Sequence, residues 1–101
     1  MEAIERITAA EEAFDRVIAA KEQLEKALDA FDESLDDLAL FSDYYGSGEW
    51  FDDRAADEAG ELPKGLKRGV LSEDLPYDAL LDTRAIALQM IEIATDTLYI
   101  V

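Results

Sequence analysis

The side chains able to do chemistry concentrate between Tyr44 and Asp74, a block holding all five glycines, the only tryptophan and four of the nine basic residues. Its first constellation is aromatic: Phe41, Tyr44, Tyr45, Trp50 and Phe51, with Gly46 and Gly48 interspersed. Aromatics beside a permissive backbone suit a ligand pocket or a protein-binding hot spot. They equally suit a plug at the end of a helical hairpin, where phenol and indole groups sit half wet. The plug is the simpler reading.

The second constellation is basic. Lys64, Lys67, Arg68 and Gly69 precede a helix start at Ser72. Backbone N–H groups at such a start, with cations nearby, are what a phosphate or carboxylate ligand needs. It is not a P-loop, because no Gly-Lys-Ser/Thr follows a strand, and Glu73 and Asp74 would repel an anion. The expected alternative is that Lys67 and Arg68 pair with Asp52, Asp53, Asp57 or Glu58 and fasten this loop to a short helix.

The third is acidic: Asp52, Asp53, Asp57, Glu58 and Glu61. Asp53 and Asp57 lie one helical turn apart and could face one Mg²⁺ or Ca²⁺. Their spacing matches no EF-hand loop, so neither a metal nor a cofactor is expected. Paired carboxylates suffice for acid–base catalysis in principle, yet nothing marks out a substrate cleft. The reading leans away from an enzyme.

Composition narrows the classes further. The chain has 101 residues, half of them hydrophobic, and a formal charge of −16. That is one domain with a modest core rather than a disordered acidic tail. It contains no cysteine and no histidine, which removes disulfides, thiol and imidazole catalysis and the usual zinc sites. Residues 1–45 sum to −9, 46–71 to −2 and 72–101 to −5. Such a chain repels phosphate backbones and anionic lipid, so neither direct nucleic-acid nor membrane binding is expected. No apolar run approaches a membrane span, and the opening MEAIERI lacks the features of a targeting signal. A cytoplasmic location is expected.

The elements that position the block are helical. Residues 2–40 read as one long amphipathic helix. One seam carries Ala3, Ala10, Val17, Leu24, Phe31 and Leu38, and the other Ile7, Phe14, Lys21, Leu28 and Leu35. This is a coiled-coil-like stripe with a polar interruption at Lys21. Glu2–Arg6, Glu12–Arg16 and Glu22–Lys26 have the favourable acidic-then-basic order. Gly46 fits the end of this helix. Ser47 then caps a short helix through Trp50 and Arg54, which Gly60 stops ahead of Pro63. Residues 61–71 form a loop. A last helix over 76–100 starts at Ser72 or Asp74, with Pro76 in its first turn. Residues 41–75 thus make the motif block of a single all-α domain, an antiparallel helical hairpin or bundle. The last helix spans roughly 37 Å against roughly 55–65 Å for the first. Ile4, Ile7 and Phe14 would then lie partly uncovered, and a homodimer formed through that end is expected.

Tyr44-Tyr45-Gly46-Ser47, then Trp50, then Leu66-Lys67-Arg68-Gly69-Val70-Leu71-Ser72-Glu73-Asp74 carry a resemblance. The chain resembles a bacterial family of small proteins, the domain of unknown function 4298 family, over nearly its whole length. Between the two motifs, the acid-rich stretch and Gly60, Leu62 and Pro63 also match. The resemblance implies a cytosolic bacterial helical protein and carries over no catalytic residue.

The expected function is that of a non-enzymatic protein–protein interaction module with an unidentified protein partner. Tyr44, Tyr45, Trp50, Lys67, Arg68 and Ser72 would form its contact surface, and substituting Trp50 or Arg68 would abolish capture without unfolding. One alternative is an acidic nucleic-acid mimic that inhibits a nucleic-acid-binding protein through Asp15, Glu22, Asp29 and Asp36. Another is a small-ligand or phosphate site in the Lys67-Arg68-Gly69 loop.

Overall fold

The computed structural model describes residues 2–101. The fold is all-α. Among the described residues the order is α1 (Ala3–Glu33), α2 (Leu35–Tyr44), α3 (Gly48–Glu58), a 3₁₀ turn at Gly69–Leu71, and α4 (Asp74–Ile100). No strand occurs among them. The chain divides into two compact units after Ala39.

The first unit holds α1 and the opening of α2. The helix expected over 2–40 breaks at Ser34, and α2 carries on to Tyr44. The cause is local: the Ser34 backbone N–H donates to the Phe31 carbonyl at 3.0 Å and the Ser34 hydroxyl to the same oxygen at 2.7 Å. A serine that bonds back three residues tightens the turn and competes with the regular ladder. Leu38 N–H then resumes the helix on the Ser34 carbonyl at 2.9 Å. Along α1, Lys21 and Glu25 form an ion pair at 2.7 Å, so the polar interruption in the seam is tied to a neighbouring carboxylate. Neither Glu12–Arg16 nor Glu22–Lys26 closes among the described residues. No residue of α1 is buried.

The second unit is punctuated by its glycines as the sequence predicts. Gly46 has a φ of 79° just past α2, the left-handed conformation that favours a residue without Cβ. The Ser47 hydroxyl accepts from Trp50 N–H at 3.2 Å and caps α3. Gly60, at φ 73°, closes α3. There Gly60 N–H bonds the Asp57 carbonyl and Glu61 N–H the Ala56 carbonyl, both at 3.0 Å. That pair of reversed bonds is a Schellman motif. At α4, the Ser72 hydroxyl accepts from Leu75 N–H at 3.2 Å, and Pro76 is buried in the first turn. The apolar centre of this unit is small: Trp50 is 3% exposed and Leu71 8%.

Candidate functional site

The motif block folds around one face of α3. Trp50, Arg54 and Asp57 stand at i, i+4 and i+7, so the helix presents them side by side. Trp50 is the centre. Its indole N–H donates to the Val70 carbonyl at 2.9 Å, and its ring meets Tyr45 edge-on at 5.1 Å and Phe51 at 4.9 Å. The Arg54 guanidinium lies 5.4 Å from the centre of the indole, within range of a cation–π attraction. A buried indole with its one donor satisfied costs nothing in lost hydrogen bonding, so the burial is almost all gain.

Two arginines fasten α3 to the chain beyond it. Arg54 donates from Nη1 to Glu73 at 2.6 Å and lies 3.6 Å from Glu58. The hydrogen bond to Glu73 holds its guanidinium above the ordinary arginine value. Arg68 reaches back with all three nitrogens: Nη1 to Asp57, Nη2 to the Pro63 carbonyl, and Nε to the Leu66 carbonyl at 3.2 Å. Its planar fork spans these acceptors at once, which an ammonium could not do. Tyr45 adds a hydrogen bond from its hydroxyl to the Glu73 carbonyl at 3.2 Å.

Tyr44 donates to Asp53 at 2.6 Å. That hydrogen bond, reinforced by desolvation and by the charges of Asp53 and Glu49, raises the phenol from 10.0 to about 12. Below pH 10 the phenol is protonated in both folded and unfolded chains. Between pH 10 and 12 the unfolded chain gives up a proton that the folded chain keeps, so stability falls as pH rises through this window. A tyrosinate titration of the folded protein should show one phenol ionising near pH 12, and Tyr44→Phe should delete that phase. A phase that persists in Tyr44→Phe would assign it to another tyrosine, and a parent protein without a phase near pH 12 would show that the Asp53 contact does not form.

The six residues expected to make a contact surface are therefore brought into one region but differ in role. Trp50, at 3% exposure, has its side chain in the interior, because the indole is the largest apolar group available to a very small core. Arg68 is spent on internal acceptors, as the clasp reading expected, and its partner is Asp57. Ser72 caps α4. Tyr44 and Tyr45 are half-buried, with their hydroxyls committed. Lys67 is exposed and makes no ion pair among the described residues. Asp53 and Asp57 serve Tyr44 and Arg68 respectively, so they do not converge on one point.

Two open clefts border this region. One, of about 510 Å³, is lined by Leu40, Asp43, Tyr44, Ser47, Gly48 and Glu49. The other, of about 300 Å³, is lined by Phe41, Gly69, Val70, Leu75, Pro76 and Ala79. The first carries carboxylates without a cation, and its serine is committed to capping. The second carries no ionisable side chain. Neither lining holds a nucleophile beside a base.

Sequence reading missed Arg54 and Glu73 as partners. The spacing of Trp50, Arg54 and Asp57 on one helical face was a signal available for the first. Nothing local announces the second, which closes over 19 residues. No helix among the described residues is long and apolar enough to cross a membrane. No curated protein and no solved structure matches the chain. Residues 7–93 match the domain of unknown function DUF4298. That match takes in both motifs and most of the helical scaffold, and the chain belongs to the DUF4298 family.

Proposed function

We propose that this chain is a non-enzymatic protein–protein interaction module working through the apolar faces of its helices, with a second copy of itself as a partner. One observation carries this reading. Ile7, Phe14, Val17, Leu24 and Leu28 line the seam of α1 and are between 42% and 63% exposed, and Ile4 beside it is 77% exposed. An apolar surface of that extent on a small protein marks an interaction site. The internal commitments of Arg68 and Ser72 leave little of the basic loop for a phosphate, which weighs against a small-ligand role.

The test is the thermal midpoint as a function of chain concentration. A partner that binds only the folded state raises apparent stability by mass action, so the midpoint should rise with protein concentration. Nucleotides and Mg²⁺ should leave it unmoved. A midpoint independent of concentration but raised by a nucleotide would replace this reading with a ligand-binding one.

A second reading rests on Asp15, Glu22 and Asp29 on α1 and Asp36 on α2, spaced seven residues apart, exposed and in no ion pair among the described residues. Such a row would imitate a phosphate backbone. Competition with DNA for a basic protein, weakening steeply with salt, would favour it.

A further inference from the structure

Helix α4 confines most of its charge to one stripe, formed by Asp74, Asp78, Asp82, Glu92 and Asp96, with apolar residues around the rest. A single helix partner covers one stripe, so an apolar surface this wide calls for more than one. Along one border of the charged stripe, seven residues recur at i, i+4, i+7, i+11, i+15, i+18 and i+22: Tyr77, Leu81, Arg84, Leu88, Glu92, Thr95 and Tyr99. At 3.6 residues per turn they fall within an arc of about 80°. All seven are exposed, and the four largest apolar ones are between 48% and 91% exposed.

The stripe is symmetric about Leu88. Reversed on itself, it sets Tyr77 against Tyr99, Leu81 against Thr95, Arg84 against Glu92, and Leu88 against Leu88. Arg84 is the one basic residue between Ser72 and Val101. Neither it nor Glu92 makes an ion pair among the described residues. Thr95 has spent its hydroxyl on the Ile91 carbonyl at 2.9 Å, so its methyl group is what remains to offer Leu81. A surface repeated on both subunits must be complementary to itself under a two-fold rotation, and this stripe is.

We infer that two copies of this chain pair antiparallel along α4, with the two-fold axis at Leu88 and an Arg84–Glu92 ion pair on each side of it. This rests on the interaction-module reading and assigns the pairing of two copies to α4 rather than to the α1 seam. The spacing of fours and threes is that of helices packed at a shallow angle. Charge favours a second copy over a basic partner, because the stripe holds one cation and one anion, placed to meet in the reversed alignment. Area favours it as well. Two buried tyrosines contribute about 300–500 Å², against about 800 Å² that a stable interface takes from each partner. Leu81, Leu88 and the flanking Ile91 and Leu98, all exposed, supply the remainder.

The test is sedimentation equilibrium on the full chain. The parent protein should be a dimer. Arg84→Glu and Glu92→Arg should each weaken it roughly tenfold or more, since each places like charges together on both sides of the axis. The double variant, Arg84→Glu with Glu92→Arg, should restore dimerisation. Leu88→Glu, which would meet itself on the axis, should give a monomer. Trp50 fluorescence checks that each variant stays folded, because Trp50 is not part of the stripe. A dimer indifferent to these charge changes overturns the inference and leaves the interaction reading standing. So does a dimer that survives Leu88→Glu but is lost in Phe14→Glu, which would move the seam to α1. A parent protein that stays monomeric at high concentration overturns the inference and removes self-association from the proposed function as well.

Discussion

Trp50→Ala should destabilise the second unit by about 3–5 kcal/mol, the usual cost of truncating a buried tryptophan to alanine. Three losses combine. The indole is 3% exposed and occupies much of a core that has few other buried side chains. Its removal leaves the Val70 carbonyl without the donor it now has at 2.9 Å, and it takes away the ring that Tyr45, Phe51 and Arg54 pack against. Small domains have about 5–15 kcal/mol in hand, so this one change should consume a large share of the total. Urea denaturation followed by far-UV circular dichroism measures it. Trp50→Phe separates the contributions: it keeps an aromatic ring but loses the hydrogen bond, and should cost less than the alanine variant. A change below about 1 kcal/mol in Trp50→Ala, the range of ordinary surface substitutions, would mean that the indole does not organise this unit.

Arg68→Ala should cost about 2–3 kcal/mol, in the range for hydrogen bonds to charged groups. The guanidinium joins one acceptor on α3, the Asp57 carboxylate, to two in the loop, the Pro63 and Leu66 carbonyls. Removing it releases the loop from α3 and leaves Asp57, whose side chain is 24% exposed, partly desolvated beside no cation. Arg68→Lys should recover less than half of the loss, because a point charge cannot reach three diverging acceptors. The readout is the denaturation midpoint, with amide exchange of residues 61–71 as the local measure. Equal stability of the lysine variant and the parent would reduce Arg68 to a simple surface charge.

How much of this was legible in advance depended on the range of each interaction. The capping of α3 by Ser47 and its termination at Gly60 are settled within a few residues, and the sequence reading placed both. The break at Ser34 is equally local. It escaped because a serine inside a helical pattern usually points to solvent, and its spacing does not reveal which carbonyl it will take. By sequence, Asp52, Asp53, Asp57 and Glu58 are equally placed to partner Arg68. The structure chooses among them by helix geometry: Asp57 shares the face of Trp50, Asp53 turns toward Tyr44, and Asp52 lies on the far side of α3.

The sequence by itself determined the all-α class, the Ser47 cap and the turns at Gly46 and Gly60, because helix periodicity, a serine cap and a left-handed glycine act over one turn or two. It also contained the symmetric stripe of α4, written out in full between Tyr77 and Tyr99. Only the tertiary structure decided that Trp50 is interior, that Glu73 answers Arg54, and that the Tyr44–Asp74 block is an internal clasp before it is a surface. Those outcomes depend on which groups meet across 19 or 20 residues of intervening chain. Local pattern carries no record of that distance; burial and hydrogen-bond satisfaction decide it together once the loop has closed.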